Sequence, residues 1–310
     1  MSSHYTALCR LRSDFKLSIL SLLLCFFSSI IHAKPATIVV SIKPLHSLVS
    51  QITDGVNQPK LLLQQQQSPH HFQLRPSQKR LINQADIFFY SSDHLESFVP
   101  ALKNTNRHLT FVELSQISKL NTLAARSLHA HNTHSHANNI DAHIWLSVEN
   151  AKIISIYVTS ILSEKSPEYA ERYHQNLKVL LKKLQTLKQQ NQQLLSPFSA
   201  THFLVYHDAF QYFERENNLG HAHFVSINPE HSPGIKRVQA LRKLIHTENI
   251  QCIFYETPNI PALLHTLTEN TSLQLAAIDP AGAHIPAGQS HYFQLMQQTA
   301  TTLKECFSNQ

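Results

Sequence analysis

The apolar positions of this chain keep two rhythms. Residues 37–42, 61–63, 86–90, 110–113, 202–206, 224–227, 252–256 and 273–278 form short apolar runs rich in β-branched and aromatic residues. Runs of that length, bounded by polar or turn residues, predict strands. Between them apolar residues recur at helical spacing. Helices are expected from Leu45, from Ser77 to about Asn83, over 148–162, over 166–195, after His207, from Ser232 through Val238, Leu241, Leu244 and Ile245, and over 291–307. Such alternation predicts an α/β chain with mostly parallel sheets and helices on both faces.

The stretch 166–195 divides the chain. Ser166 suits an N-cap, Pro167 the first helical position and Glu168 the first turn. No Gly or Pro follows until Pro197, and Leu177, Leu180, Leu181, Leu184, Leu187, Leu194 and Leu195 recur mostly at helical intervals. Thirty residues would span roughly 45 Å, long for a helix within one small domain. It reads as a rigid strut between two lobes, with 34–165 before it and 196–310 after it.

The first 33 residues stand apart. Arg10, Arg12 and Lys16 precede an apolar stretch, 17–31, which ends at Ile31-His32-Ala33. This pattern predicts a secretory signal peptide cleaved after Ala33; about fifteen apolar residues are short for a membrane span. Leu24 precedes Cys25 where lipidation needs a small residue, so a lipid anchor is not expected. Removing the leader takes Arg10, Arg12, Lys16 and Asp14 from a net charge of +6 and leaves a modest excess. No basic run is interleaved with aromatics, so nothing supports nucleic-acid binding. Five glycines in 310 residues, with no GxGxxG or GxxxxGK[ST] pattern, exclude a nucleotide-cradling loop.

Cys252 and Cys306 are the cysteines left beyond the leader. An even pair in an oxidising compartment reads as a disulfide closing a loop of about fifty residues, worth roughly 3–4 kcal/mol on the entropic account. Two buried thiols are the alternative; a two-Cys metal site lacks accompanying ligands.

The excess in this composition is histidine, at 22 residues. His207 directly follows an apolar strand, and Asp279 follows the last one. His70 follows the second strand by a short loop. His143 lies beyond the segment 128–139, where His129, His131, His134 and His136 sit among small polar residues without apolar periodicity, as in a mobile loop. Ligands of open α/β sheets bind beyond the carboxyl ends of strands, so these groups are candidates to meet around one metal ion.

The same residues carry a resemblance. Ser68-Pro69-His70 with Phe72, Leu74, Arg75 and Pro76, then Asp141-x-His143-x-Trp145-Leu146, then Tyr206-His207-Asp208-Ala209-Phe210-x-Tyr212-Phe213 resemble three signatures of the cluster A-I solute-binding proteins. That family feeds zinc or manganese to ABC transporters. Asn228-Pro229-Glu230, Ser232-Pro233-Gly234 and Asp279-Pro280 match in order, and the resemblance runs from Lys34 to Phe307. It implies two (β/α) lobes joined by a long backbone helix, with the metal in the interlobe cleft. It also implies a periplasmic, monomeric zinc carrier, not an enzyme, that delivers Zn²⁺ to a membrane permease. The metal set it implies is His70, His143 and His207, with Asp279 or a water as the fourth ligand. Three imidazoles suit zinc better than manganese; the manganese branch typically has Glu where this chain has His207. Some zinc members carry a Glu just before the first His, where this chain has Pro69. The segment 128–139 resembles the family's metal-gathering insert, with His129, His131, His134 and His136 as auxiliary low-affinity ligands or as a solvated spacer. His71 and His231 are read as non-ligands, Asp208 as a helix-start residue and Arg75 as structural. Two other functions fit three histidines: a secreted zinc hydrolase, although no HExxH is present, and a metal-binding surface adhesin.

Overall fold

Among the described residues, eight short strands form two four-stranded sheets, and every pairing between these strands is parallel. The computed structural model describes residues 34–64, 67–70, 72–126, 140–220, 222–227, 233–256, 260–269 and 271–309. Strands β1 (Ile38–Val40), β2 (Lys60–Leu61), β3 (Ile87–Tyr90) and β4 (Thr110–Glu113) stand in the order β2-β1-β3-β4. Strands β5 (Leu204–His207), β6 (His223–Ser226), β7 (Cys252–Tyr255) and β8 (Gln274–Ala277) repeat that order as β6-β5-β7-β8. A strand overlaps each expected run: β4 keeps its expected bounds, β1, β3, β7 and β8 are shorter, and β2, β5 and β6 are shifted, β5 running on to include His207. The near-continuous apolar runs of the inner strands β1, β3, β5 and β7 reflect burial on both faces, as in covered parallel sheets.

The helices are α1 (Lys43–Ile52), α2 (Pro76–Asn83), α3 (Val99–Thr105), α4 (Val148–Lys165), α5 (Ala170–Leu195), α6 (Gln211–Glu216), α7 (Ile235–Thr247), α8 (Ala262–Thr268) and α9 (His291–Ser308). The second sheet shows how alternation covers both faces. Leu204, Tyr206, Val225 and Ile253 pack on Leu241 and Ile245 of α7 and Leu264 and Leu267 of α8. Phe203, Val205, Cys252 and Phe254 point the other way, into a core shared with Leu303 and Phe307 of α9, Leu195 of α5 and the whole first sheet. One apolar interior therefore runs through both lobes. A disulfide joins Cys252 at the start of β7 to Cys306 of α9, with Cα atoms 6.1 Å apart.

The strut differs from expectation at its start. Ser166 ends α4, its N–H donating to Leu162 O, and a 3-10 turn over Pro167–Tyr169 precedes α5. A residue before proline is driven out of the α region, and Ser166 sits at φ −138°, ψ 72°. The 26 residues of α5 span about 39 Å, burying Tyr173, Leu180, Leu184, Leu187, Asn191 and Leu195. Helices α4 and α5 pack as an antiparallel hairpin: Glu149 pairs with Lys188 at 2.8 Å, and Lys152 donates to Gln185 at 2.6 Å. The strut is thus one arm of a pair.

The lobes are pinned directly. Glu216, at the end of α6, accepts from Ser147 Oγ (2.9 Å), Val148 N (2.6 Å) and Glu149 N (2.8 Å) and so caps α4 from across the molecule. A carboxylate there satisfies orphan N–H groups and faces the positive end of the helix dipole. Lys43 of α1 donates to Ala283 O and Ile285 O at 2.6 and 3.0 Å. Two smaller expectations change. Helix α2 starts at Pro76 with Arg75 as its N-cap, and Gln78 Oε1 reaches back to accept from Arg75 N at 3.0 Å; Ser77 lies inside the helix and does not cap it. Asp208 caps no helix, since α6 begins at Gln211.

Candidate metal centre

Three imidazoles from two lobes meet at one point. His70 lies in the loop after β2, His143 directly before the 3-10 turn Ile144–Leu146 that leads into α4, and His207 is the last residue of β5. Ring centroids are 5.0 Å apart for His143–His207, 5.2 Å for His70–His207 and 5.8 Å for His70–His143. One ring nitrogen from each lies within 4.8 Å of the others. Nitrogens about 2.1 Å from a tetrahedral zinc would be about 3.4 Å apart, so small side-chain movements close the set.

His143 is held locally. Asp141 Oδ1 accepts from both the backbone N–H (3.0 Å) and the ring Nδ1–H (2.7 Å) of His143, and Asp141 Oδ2 accepts from Gln211 Nε2 at 3.2 Å. A carboxylate only accepts, so the proton sits on Nδ1 and Nε2 is left as the basic nitrogen. Burial alone would raise the Asp141 carboxyl; the His143 ring and the hydrogen bonds outweigh it and hold the group below its ordinary value. Trp145 packs edge-on to His143 at 5.4 Å and donates Nε1–H to Pro280 O at 2.7 Å, tying this turn to the loop after β8.

His207 is held by a partner far along the chain. Its Nδ1 lies 2.5 Å from Glu256 Oε1, at the end of the neighbouring strand β7. Its Nε2 is buried and has no hydrogen-bond partner among the described residues. A buried imidazole nitrogen without a partner is costly unless something fills the space in front of it. Burial pushes the His207 pKa down, but the Glu256 charge and hydrogen bond overcome this and raise it above the ordinary value. Strands β5 and β7 flank the point where the order of the second sheet reverses, the usual ligand position in such sheets.

Asp279 lines the same cavity, of about 100 Å³, with the three histidines, Glu256 and Trp145. It lies outside the three-imidazole group and is engaged by backbone. Oδ1 accepts from Ala281 N (2.8 Å) and Gly282 N (3.0 Å), and Oδ2 from Ala283 N (2.6 Å). Gly282 makes this turn with φ +63°, and a Cβ there would meet the His291 ring at 2.9 Å. A carboxylate has about four acceptor positions, so one on Oδ2 stays open. Burial raises the Asp279 pKa while these N–H groups pull it back.

Two supporting groups carry no assigned role in the sequence reading. Asp141 stood inside a quoted motif, and its spacing of two from His143 was the available signal. Glu256 ends a correctly read strand, but nothing in the linear pattern links it to His207. Arg126 pairs with Asp208 and Glu214 at 2.9 and 3.0 Å, so Asp208 is an ion-pair partner; burial nonetheless lifts its pKa to about 6. His129, His131, His134 and His136 lie outside the described residues, as do His71, His231 and residues 228–230.

Comparison with known proteins bears on the family and the fold. The family model of ZnuA, described as zinc-uptake complex component A, periplasmic, matches residues 38–306. The High-affinity zinc uptake system protein ZnuA of Brucella suis is 30% identical over 305 residues, covering 87% of this chain and 91% of its own. Among solved structures, a ZnuA crystal structure superposes with a TM-score of 0.75 at 20% identity, covering 88% of this chain and 99% of that one. The laminin binding protein Lmb of Streptococcus agalactiae, described as bifunctional with adhesin and metal transporting activity, gives 0.74 at 20% identity over 88% and 99% of the two chains. The two parallel-sheet lobes and the long helix are thus the fold of this group, and the match over nearly the whole described chain makes it a member of the ZnuA family of periplasmic zinc-uptake components.

Proposed function

We infer that the protein captures Zn²⁺ in the periplasm as the solute-binding component of a zinc ABC importer and delivers it to the membrane permease. The observation that carries the reading is the meeting of His70, His143 and His207 at one cavity, two of them with Nδ1 held by a carboxylate. Carboxylate-backed imidazoles are a recurrent zinc arrangement, in which the outer partner fixes the ring and raises its basicity. Three nitrogen donors favour zinc over manganese. Asp279 supplies the fourth bond through its open Oδ2 position, with a water as the competing donor. Glu256, Asp141 and Asp279 surround the cation with negative charge, while Lys43 bears on Asp279 from the other side.

Zinc is cargo here, and the chain performs no chemistry on it. It works as a monomer without nucleic acid. The leader is cleaved after Ala33, leaving no lipid anchor; among the described residues no helix is long and apolar enough to cross a membrane. The segment 128–139 gathers zinc weakly and passes it inward. In support, its stem is closed by the Ala124–Ile140 bridge, and Arg126, Ile140, His70 and His143 line one hollow.

The test is zinc stoichiometry and affinity of the purified mature chain. His143→Ala and His207→Ala each weaken the tight site by about 1000-fold or more, while deletion of 128–139 leaves it intact. A tight site that survives both point variants and disappears with the deletion overturns the reading.

A further inference from the structure

A second convergence of metal-binding side chains lies at the other end of β5 from His207. Leu204 stands beside His223 across the β5–β6 pairing. Side chains alternate along a strand, so His202, Leu204 and Tyr206 share a face with His223 and Val225. That face packs on α7 through Leu241 and Ile245. His207, an odd number of residues from His202, belongs to the opposite face. The five-residue offset also sets the two histidines about 17 Å apart along the strand.

Local backbone chemistry brings the third group in. Glu248 is the C-cap of α7, one turn beyond Ile245. Asn249 follows at φ 49°, and Ile250 N donates back to Ile245 O at 2.9 Å. This is a Schellman cap with asparagine in the left-handed position usually taken by glycine. The same device at Asn218 (φ 51°), with Leu219 N donating to Glu214 O at 3.0 Å, turns the chain ahead of His223. Gly220 then passes so close that a Cβ would lie 2.8 Å from Thr201 O. Both strand entrances and the helix end are therefore fixed by backbone. His202 Nδ1 comes to 3.4 Å from Glu248 Oε2, and the His202 and His223 rings lie 6.3 Å apart and nearly parallel. One ligand atom from each of the three lies within 4.8 Å of the others.

We propose that His202, His223 and Glu248 form a second, weaker binding site for a borderline divalent cation such as Zn²⁺, at the N-terminal edge of the second sheet. Two imidazoles and a carboxylate are a familiar zinc donor set, with water completing the shell. His223 carries a neutral ring suited to bind. Burial lowers its pKa first, Glu248 pulls it back up, and His202, Arg237 and Arg126 press it down. Affinity stays below that of the cleft for physical reasons. His202 is exposed and must be ordered, its contact with Glu248 must open, and no buried carboxylate among the described residues holds either ring in advance.

Equilibrium dialysis of the full mature chain with Zn²⁺, read by metal analysis at pH 7.5, tests this apart from the cleft. The wild type takes up the tight equivalent and then weaker zinc. His202→Ala, His223→Ala and Glu248→Gln each weaken one of the weaker equivalents by about tenfold or more. The tight equivalent persists in all three, which reports an intact fold and keeps this test distinct from that of the capture reading. Weaker uptake unchanged in His202→Ala and Glu248→Gln overturns the proposal. Loss in His223→Ala alone overturns it too, because His223 would then be using other partners.

Discussion

The two sheets share one strand order, and their reversal points are used in opposite ways. In the second sheet, the ends of β5 and β7 present His207 and Glu256 to the cavity. In the first, the chain closes the corresponding place beyond β1 and β3 with its own carboxylate. Glu96, fully buried, accepts from Ser41 Oγ at 2.6 Å, Ser91 N at 3.0 Å and Ser92 N at 2.9 Å. Equal topology thus supplies two such places, one filled from within by a carboxylate and one lined by His207 and Glu256 at a cavity. The first sheet contributes its histidines from outside that position: His70 from the loop after β2 and His143 from the turn before α4. Ser91 Oγ, beside the filled point, also donates to Ala142 O at 2.7 Å and so steadies the backbone next to His143.

Three experiments press on this contrast. The largest effect concerns the scaffold of the open point. Replacing Cys252 and Cys306 by Ala removes a bridge between β7 and α9, lowering stability by roughly 3–4 kcal/mol, as read by denaturant unfolding. Zinc affinity measured well below the transition should fall only slightly, because Glu256 sits at the far end of β7. A large loss of affinity would mean that the bridge, rather than the strand pairing, sets the site.

Next is the closed point. Burial lifts Glu96 to about 7 from an ordinary 4.5, with the Ser41, Ser91 and Ser92 donors pulling it back and Glu113 adding to the rise. An acid whose folded pKa is raised holds its proton more tightly when folded. Its contribution is therefore fullest below pH 4.5 and is lost as pH climbs through about 7. The amount is on the order of 3 kcal/mol at most. Glu96→Gln flattens thermal stability against pH in that window and leaves zinc affinity unchanged. A slope unchanged by the variant would assign the dependence elsewhere.

The smallest effect mirrors it. Glu256→Gln keeps an acceptor for His207 but removes the charge, so zinc affinity falls about tenfold with little change in stability. The pH profile carries the sign. Glu256 raises the His207 pKa above 6.5, so protons begin to displace zinc at a higher pH than an ordinary imidazole allows. The variant shifts that onset downward. Titration calorimetry at several pH values gives the answer, and an unmoved onset would remove Glu256 from its role.

Much of this was legible in the linear chain. The inner strands β1, β3, β5 and β7 could be read because burial on both faces gives them unbroken apolar runs, whereas the more exposed edge strand β2 was read with displaced ends. His70, His143 and His207 could be read because each sits in a dense local motif. What escaped depends on contacts between distant residues. Glu256 meets His207 only because β5 and β7 are neighbours in the sheet, and Glu216 caps a helix 68 residues earlier. Helices α3 and α8 are seven residues each, too short for periodicity to emerge. Ser166 misled because Ser-Pro-Glu suits a helix start, whereas here the helix before it ends at that serine. The asparagine caps at positions 218 and 249 look in sequence like ordinary polar residues. With so few glycines available, they take the left-handed positions.

The larger apolar core, which runs through both lobes, has a consequence for turnover. Because both sheets share it, neither half can open far without exposing the other, and unfolding is expected to be a single event. On the proposed reading, zinc held from both halves would oppose that same event, adding about 2.7 kcal/mol when free metal is a hundred times the dissociation constant. Proteases cleave opened chains, so under that reading they should spare laden molecules and clear empty ones. The lifetime of the carrier would then follow the supply of its cargo.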